Sequence, residues 1–349
     1  MKTILSVSIL ATVTCFFTTS SIGQDTRGWK DLEGKINVDG SSTVAPITIQ
    51  ADASFRKLAP KVKIPVGVSG TGGGFKRFTK GETDISDASR PIKFAEFESC
   101  KKNGVSFIEI PVAYDGLTIA VSKNNDFVDT LTVDQLKKIF LADKKDKSFL
   151  NAKSWKEIND QWPASPIKIF APGTDSGTFD YFKEVIVGKS GSSMRDDMSV
   201  SEDDNVLVQG IAKTDGAIGF FGASYYFSNT DKLKAVKIVN PDGEAVEVSA
   251  ANIESGKYAP FSRPLFIYVN SKSARRPEVR AFVSHYLDNA AGLAAKVQYV
   301  GLPDQITAAA KKHFKTRKTG THFWSVTGGK ATKKEGSLTE LYTVDQLVK

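Results

Sequence analysis

Three segments of the sequence share one design, in which an apolar strand is followed by a turn of small and hydroxyl residues and then by a helical pattern. They are INVDGSSTVAPI from Ile36, IPVGVSGTGGGFKRF from Ile64 and IKIFAPGTDSGTFDYF from Ile167. Short apolar strands that alternate with helical patterns are typical of α/β proteins. Because ligands of open α/β sheets bind at the carboxyl ends of the strands, we expect the three turns to lie together.

The chemistry of these turns suits a small oxyanion. A helix N-terminus carries unpaired N–H groups and roughly half a positive charge, and glycine lets an anion approach those groups closely. Hydroxyl side chains add further donors. A single serine or threonine at such a turn is more often only a helix cap. Three turns of the same kind, each after a strand, favour a shared anion site.

Arg90 follows Ser89 in the segment DISDASRPI, just after a short strand. A guanidinium group at this place would give an anion two parallel hydrogen bonds. The alternative interpretation is a solvent-exposed arginine before a proline.

The length of the chain and its N-terminal segment indicate the number of domains and the cellular location. A chain of 349 residues is long enough for about two domains. Residues 1–23 have a lysine, an apolar run too short to span a bilayer, and small residues before Gln24, which predicts a cleaved secretory signal. Lipidation of Cys15 is the alternative. Removal of the signal leaves Cys100 alone, so no internal disulfide is expected.

The motifs DGSSTVAPI, GTGGGFKRF, DISDASRPI, GTDSGTF and GAIGFFGASYY together resemble the phosphate-binding proteins of bacterial phosphate ABC transporters, over about residues 36–316. This family has the type II periplasmic-binding-protein fold, an α/β fold with two domains, each a mixed sheet flanked by helices, joined by two crossover hinge strands. The resemblance therefore implies a non-enzymatic receptor that closes on inorganic phosphate.

The resemblance also implies the site residues, which are matched motif by motif. Ser42 and Thr43 match the first phosphate contacts, Thr71 with its neighbour Gly72 the second, and residues 176–178 the third. The full expected phosphate shell is Ser42, Thr43, Thr71, Gly72, Ser89, Arg90, Ser176, Gly177 and Thr178. No catalytic residue, metal or cofactor is expected.

Two positions depart from the familiar family pattern. Pro172 stands where that pattern has an arginine, and Arg90 is our hypothesis for the missing charge. Ser89 stands where that pattern has an aspartate that accepts the proton of phosphate. The candidates for this role are Ser89, Asp87, Asp115 and Asp175.

The resemblance implies the domain organisation and the partners. Residues 35–118 plus 264–318 would form domain I and residues 119–263 domain II, followed by a basic C-terminal tail, 319–349, that we expect to be partly flexible. The protein would work in the periplasm as a monomer, deliver phosphate to the permease subunits of an ABC transporter, and bind no nucleic acid.

Two other functions stay open from the residues alone. A serine-dependent hydrolase or phosphatase would need Ser42 or Ser176 beside a base, and neither has a neighbouring histidine in the sequence. A polyanion-binding surface protein would use the segment KKHFKTRKTGTHFW, in which basic residues alternate with Phe314, Phe323 and Trp324. A solvated terminal face is the simpler interpretation of that segment.

Overall fold

The computed structural model describes residues 28–142, 152–174, 176–188, 192–344 and 346–349. The expected signal segment 1–23, with Cys15, and the candidate proton acceptor Asp175 lie outside the described residues. Within the described residues, no helix combines the length and the apolar character needed to cross a membrane.

Helices and short strands alternate along the chain, as the sequence pattern predicts for an α/β protein. The helices are α1 (Ala45–Phe55), α2 (Gly70–Phe78), α3 (Phe94–Lys102), α4 (Val133–Phe140), α5 (Gly177–Val187), α6 (Asp204–Lys213), α7 (Ala223–Phe227), α8 (Ala250–Glu254), α9 (Pro277–Lys296), α10 (Asp304–Thr316) and α11 (Leu338–Tyr342). Single 3₁₀ turns are Trp29–Asp31, Trp155–Glu157 and Ser273–Arg275.

The strands are mostly short, with two exceptions. They are β1 (Glu33–Lys35), β2 (Val38–Gly40), β3 (Lys61–Lys63), β4 (Val66–Gly67), β5 (Ile85–Ala88), β6 (Phe107–Ser122), β7 (Thr130–Leu131), β8 (Leu141–Ala142), β9 (Lys168–Pro172), β10 (Ser193–Met194), β11 (Ser199–Ser201), β12 (Ala217–Gly222), β13 (Leu233–Ala235), β14 (Lys237–Val239), β15 (Ala245–Val246), β16 (Ser262–Asn270), β17 (Trp324–Thr327) and β18 (Lys330–Lys333).

A mixed sheet of nine strands organises the molecule. Its order is β11-β9-β12-β6-β16-β5-β2-β4, with β13 also paired to β6. Strands β2, β4 and β5 pair in parallel on one side, and β9, β11 and β12 do so on the other. The two sides are connected by the long antiparallel pair β6 and β16. The fold is thus the mixed α/β arrangement that the sequence pattern predicts.

Strand β6 belongs to both halves of this sheet. Residues 107–116 pair with β16, and the next residues pair with β12. All of its residues except Ser122 are buried, because layers of helices and loops cover both faces of the strand. In one half α2 packs on β2 and β5, and in the other α6 packs on β12. The carboxyl ends of β2 and β9 lead directly into the first and third turns.

The C-terminal segment is folded against β6, which corrects the expectation of a partly flexible, solvated tail. Tyr342 is fully buried and donates a hydrogen bond to the Glu109 backbone carbonyl at 2.8 Å. The Glu109 carboxylate accepts hydrogen bonds from the Thr321 hydroxyl and the His322 amide. Phe323 is also buried, so the segment has an apolar face of its own. Burial of that face offsets the entropy lost on ordering the chain.

Candidate functional site

The first turn, residues 41–44, lies between β2 and α1. Val44 occupies the N-cap position and makes no side-chain cap, so Ser42 and Thr43 do not cap α1. The Ser42 hydroxyl donates to Asp180 Oδ2 at 3.2 Å. Thr43 is buried, and its carbonyl accepts a 2.6 Å hydrogen bond from the Tyr299 hydroxyl. The simple capping interpretation therefore does not apply to this turn.

The second turn opens α2 with the glycine-rich segment. Gly70 has φ of +75°, a conformation that glycine adopts without strain. A Cβ on Gly74 would lie 2.6 Å from the Cα of Gly40, so this glycine lets the helix pack closely on the sheet. Gly72 has open space where a Cβ would point. Gly74 thus serves packing, whereas Gly72 exposes bare backbone.

Thr71 and Ser89 form a hydroxyl pair beside this turn. Their oxygens are 3.0 Å apart, and the Ser89 amide donates to Thr71 Oγ1 at 3.1 Å. The pair connects the start of α2 to the end of β5, which holds both hydroxyls in fixed positions.

The third turn faces the first. Ser176 is the N-cap of α5, and its hydroxyl accepts from the Thr178 amide at 3.2 Å, so the capping interpretation does apply here. A Cβ on Gly177 would lie only 2.8 Å from the Cα of Thr43. The backbone of α5 therefore lies so close to the first turn that only glycine fits at position 177.

These elements enclose a cavity of about 320 Å³. Of the expected residues, Ser42, Thr43, Thr71, Gly72, Ser89 and Arg90 line it, whereas residues 176–178 lie at the adjoining end of α5. The lining also contains Ser41, Gly70, Lys93, Asp180, Tyr181, Glu184 and Arg263. The structure thus brings the three turns together, with α5 lining the cavity through its acidic face.

Arg90 lines the cavity, but its guanidinium group is already engaged. It makes two hydrogen bonds to the Glu96 carboxylate, at 2.9 and 2.7 Å, and lies 5.3 Å from the centre of the Phe75 ring. The Glu96 carboxylate therefore neutralises the positive charge of Arg90, which we expected to bind an anion. Arg90 is therefore a weaker substitute for the arginine missing at Pro172 than we expected.

Arg263, on the crossover strand β16, lines the cavity and was not among the expected site residues, and the same is true of Lys93. The Arg263 guanidinium group donates to Thr43 Oγ1 at 3.0 Å and stacks 3.6 Å above the Tyr181 ring. It also pairs with Asp115 at 3.3 Å and Glu184 at 3.1 Å. A lone arginine in the otherwise apolar run FSRPLFIYV was the available signal.

Burial controls the ionisation of two of the candidate proton acceptors. It raises the pKa of the fully buried Asp115 carboxyl, and Arg263 partly opposes that shift. Burial also raises the pKa of Asp87 to about 8, although a hydrogen bond from Thr48 partly opposes that shift. Neither residue is part of the cavity lining, which does contain Ser89 and the carboxylates of Asp180 and Glu184.

The histidines of the described chain lie away from the cavity. No histidine or cysteine that the structure describes lines it. His285 lies on α9 at 2.7 Å from the Ser54 hydroxyl, and His313 stacks on His322 beside Tyr342. Among the described residues, no cluster of histidine, cysteine and carboxylate side chains has the composition of a metal site.

The hypothesis of a polyanion-binding surface is contradicted where it depends on exposed aromatic rings. Phe314 and Phe323 are buried, and the Trp324 indole donates to the Ile92 carbonyl at 2.8 Å. These rings are therefore occupied by packing and are not available to stack on bases.

Comparison with known proteins identifies the family. The profile of the PBP superfamily domain matches residues 24–290. Protein SphX of Synechococcus elongatus is 48% identical over 82% of this chain and 83% of its own length. The phosphate-binding protein PstS of Staphylococcus haemolyticus is 40% identical over 82% of this chain and 86% of its own length.

A solved structure has the same fold. A protein from Planctomyces limnophilus, described as a possible phosphate binding protein, is 42% identical and superposes with a TM-score of 0.78, over 82% of this chain and 99% of its own. The chain belongs to the PBP superfamily, in the group of substrate-binding receptors that contains SphX and PstS.

Proposed function

We propose that this protein is an extracytoplasmic receptor that binds inorganic phosphate and delivers it to an ABC transporter. Its relative PstS is a phosphate-binding protein, at 40% identity. The observation that carries the proposal is a cavity of about 320 Å³ lined by the first two hydroxyl- and glycine-rich turns and two arginines. The start of α5, with the third turn, adjoins this cavity at Thr43. Such a site matches a small tetrahedral oxyanion in its donor chemistry and has ample room for one.

The donors in this proposal come from the turns. Ser42, Thr43 and Thr71 supply hydroxyls, and Gly72 supplies exposed backbone. The N-terminus of α5, with Ser176, Gly177 and Thr178, adds the positive end of a helix. Ser89 completes the shell, and Arg90, paired with Glu96, forms part of the cavity wall.

In this proposal Arg263 is the cationic residue that contacts the first turn directly, in place of an arginine at the position of Pro172. Its side chain is only 12% exposed, so its interaction with an anion is weakly screened by solvent. The guanidinium group is held from four directions by Thr43, Tyr181, Asp115 and Glu184. A group positioned in this way loses little entropy when an anion binds.

The carboxylates of Asp180 and Glu184 are the proposed basis for discrimination between anions. Both line the cavity, where a carboxylate accepts a hydrogen bond from the P–OH group of protonated phosphate but repels a fully ionised sulfate. Ser89 stays an alternative acceptor because its hydroxyl also lines the cavity. Asp87 and Asp115 are less suitable because both are fully buried outside the lining.

Closure would occur about β6 and β16. Residues 35–118 plus 264–318 form one proposed domain and residues 119–263 the other, and these two strands connect them. The contact of Gly177 with Thr43 joins the two proposed domains directly and supports a closed form. Opening would separate α5 from the first turn.

The proposed setting follows from the family. The mature receptor, after cleavage of residues 1–23, would work as a monomer in the periplasm and present bound phosphate to the permease subunits. Size-exclusion chromatography with light scattering of the mature chain tests the monomer.

Calorimetric titration with orthophosphate, followed by sulfate as competitor, tests the function. We expect one site with orthophosphate strongly preferred. Thr71→Val removes one cavity hydroxyl at nearly constant shape and should weaken binding about fivefold, the equivalent of about 1 kcal/mol. Thr332→Val, on the exposed hairpin, is the matched control. An absence of heat with saturating orthophosphate would refute the receptor, and turnover of a chromogenic phosphate ester would favour the hydrolase.

A further inference from the structure

A second polar cavity, of about 480 Å³, lies between α9 and α10 and shares no residue with the cavity at the three turns. It is lined by Ala274, Arg280, Ser284, Leu287, Asp288, Lys311, Phe314, Lys315 and Arg317. Leu287 and Phe314 give it an apolar floor, and four cationic side chains surround that floor. Its volume exceeds that of the first cavity by half, so it has room for a larger ligand.

The charges around this cavity are not balanced. Asp288 is the one carboxylate in its lining, and it already pairs with Lys311 at 2.7 Å. Within the described part of the chain, no carboxylate lies within ion-pair distance of Arg280, Lys315 or Arg317. Three positive charges therefore line one cavity with no ion-pair partner among the described residues, and such an arrangement attracts a multivalent anion.

Local helix energetics explain only part of this cluster. Lys311 and Lys315 lie in the last turns of α10, where the helix dipole favours cations. Arg280 is the fourth residue of α9, near a helix N-terminus, where the dipole disfavours a cation. Arg317 ends α10 with φ of +51°, a left-handed conformation in which glycine is the usual residue. The dipole of α10 thus favours the charge of Arg317 but not its backbone conformation, whereas the dipole of α9 disfavours the charge of Arg280. Both arginines line the same cavity.

We propose that this cavity is a second anion site that binds a condensed inorganic phosphate, with pyrophosphate as the smallest member of the class. Two linked phosphoryl groups match guanidinium groups from two helices, since each arginine forms paired hydrogen bonds with one phosphoryl group. The Ser284 hydroxyl adds a donor from the same wall. The basic segment KKHFKTRK, which the phosphate cavity does not use, supplies three of the four cations.

The test is a calorimetric titration of the full mature chain with pyrophosphate, in saturating orthophosphate so that the first cavity is filled. We expect one further binding event that weakens as sodium chloride rises from about 50 to about 200 mM, as screening predicts. The double variant Arg280→Gln/Arg317→Gln should raise the pyrophosphate Kd at least about tenfold. Loss of a single charge-assisted hydrogen bond would already account for a change of that size. Its affinity for orthophosphate should stay unchanged, which also shows that the variant is folded.

Three further variants separate this site from the first. Lys257→Gln removes an exposed cation elsewhere and should leave pyrophosphate binding unchanged. Lys315→Glu should abolish the event, because it reverses a charge on the cavity wall. Arg263→Met should weaken orthophosphate binding and leave pyrophosphate binding unchanged. The two sites can therefore be disrupted independently.

Three results would overturn the proposal. They are the lack of a further binding event, displacement of orthophosphate by pyrophosphate in a one-to-one ratio, and unchanged pyrophosphate affinity in the double variant. Binding to phosphatidylglycerol vesicles without binding to free pyrophosphate would also reject it and would assign the cluster to a membrane surface.

Discussion

The Arg263→Met variant most directly examines the ligand cavity. Methionine keeps much of the side-chain length and can still pack on the Tyr181 ring, but it removes the charge and all donors. The change leaves Asp115, a fully buried carboxyl group, without its cationic partner. Loss of one member of a buried ion pair typically costs about 3–5 kcal/mol of folding free energy.

The pH dependence of this cost has a definite sign. Burial already raises the pKa of Asp115, and removal of Arg263 raises it further because the guanidinium group opposes that shift. Asp115 then retains a proton in the folded state that it loses in the unfolded state. The destabilisation should therefore grow as pH rises above the ordinary carboxyl pKa, and it should be smallest in acid.

Two assays give the magnitudes. Urea unfolding at about pH 8, followed by circular dichroism, should show the variant destabilised by about 3 kcal/mol. Adding Asp115→Asn should recover most of that loss, since the uncompensated charge is gone. Calorimetry on the folded variant should show a phosphate Kd raised about 10- to 150-fold, the equivalent of about 1.5–3 kcal/mol.

Arg275→Met, at an exposed 3₁₀ turn, is the control for loss of an arginine. A phosphate Kd within threefold of the parent would exclude Arg263 from the binding shell. A double variant no more stable than Arg263→Met would exclude the ion pair as the source of the destabilisation.

Three further substitutions probe other parts of the structure. Gly177→Ala places a Cβ 2.8 Å from the Thr43 Cα. This variant should raise the phosphate Kd at least tenfold, with little change in the free energy of unfolding measured in urea. An unchanged Kd would contradict the close approach of α5 to the first turn. Asp87 holds a proton in the folded state up to a pKa of about 8, so stability should fall by up to about 1.4 kcal/mol per pH unit between about pH 4 and 8. Asp87→Asn should flatten that slope, and equal slopes in urea unfolding would reject the assignment. Asp180→Asn should narrow the preference for phosphate over sulfate about tenfold in competition calorimetry, and an unchanged ratio would leave Glu184 or Ser89 as the proton acceptor.

Local patterns in the sequence predict the strand-turn-helix junctions well. Two patterns favour these junctions: alternating apolar residues in the strands, and small residues at 41–44 and 70–74. Both depend only on residues a few positions apart. Strand β2 and helices α1 and α2 form where these patterns indicate. The choice of hydroxyl residues at the turns is likewise a local property. These features predict both an α/β fold and an anion-binding chemistry without reference to distant contacts.

Contacts between distant residues decide the roles of individual side chains. Thr43 and Arg263 are 220 positions apart in the chain, and only the pairing of β6 with β16 brings the arginine to the first turn. Arg90 is diverted to Glu96, although its sequence context favours an anion contact. Similarly, Ser176 caps α5 while Ser42 does not cap α1, although both follow strands.

The order of residues predicts the class of fold and the three turns, because hydrophobic periodicity, glycine and hydroxyl residues act through neighbouring positions. The family was expected from the resemblance of whole motifs. Contacts across the fold decide which cation reaches the cavity, which carboxylates line it, and that the C-terminal segment packs on Glu109. The physical reason is that charge pairing and burial depend on distances across the sheet, and the order of residues along the chain does not contain those distances.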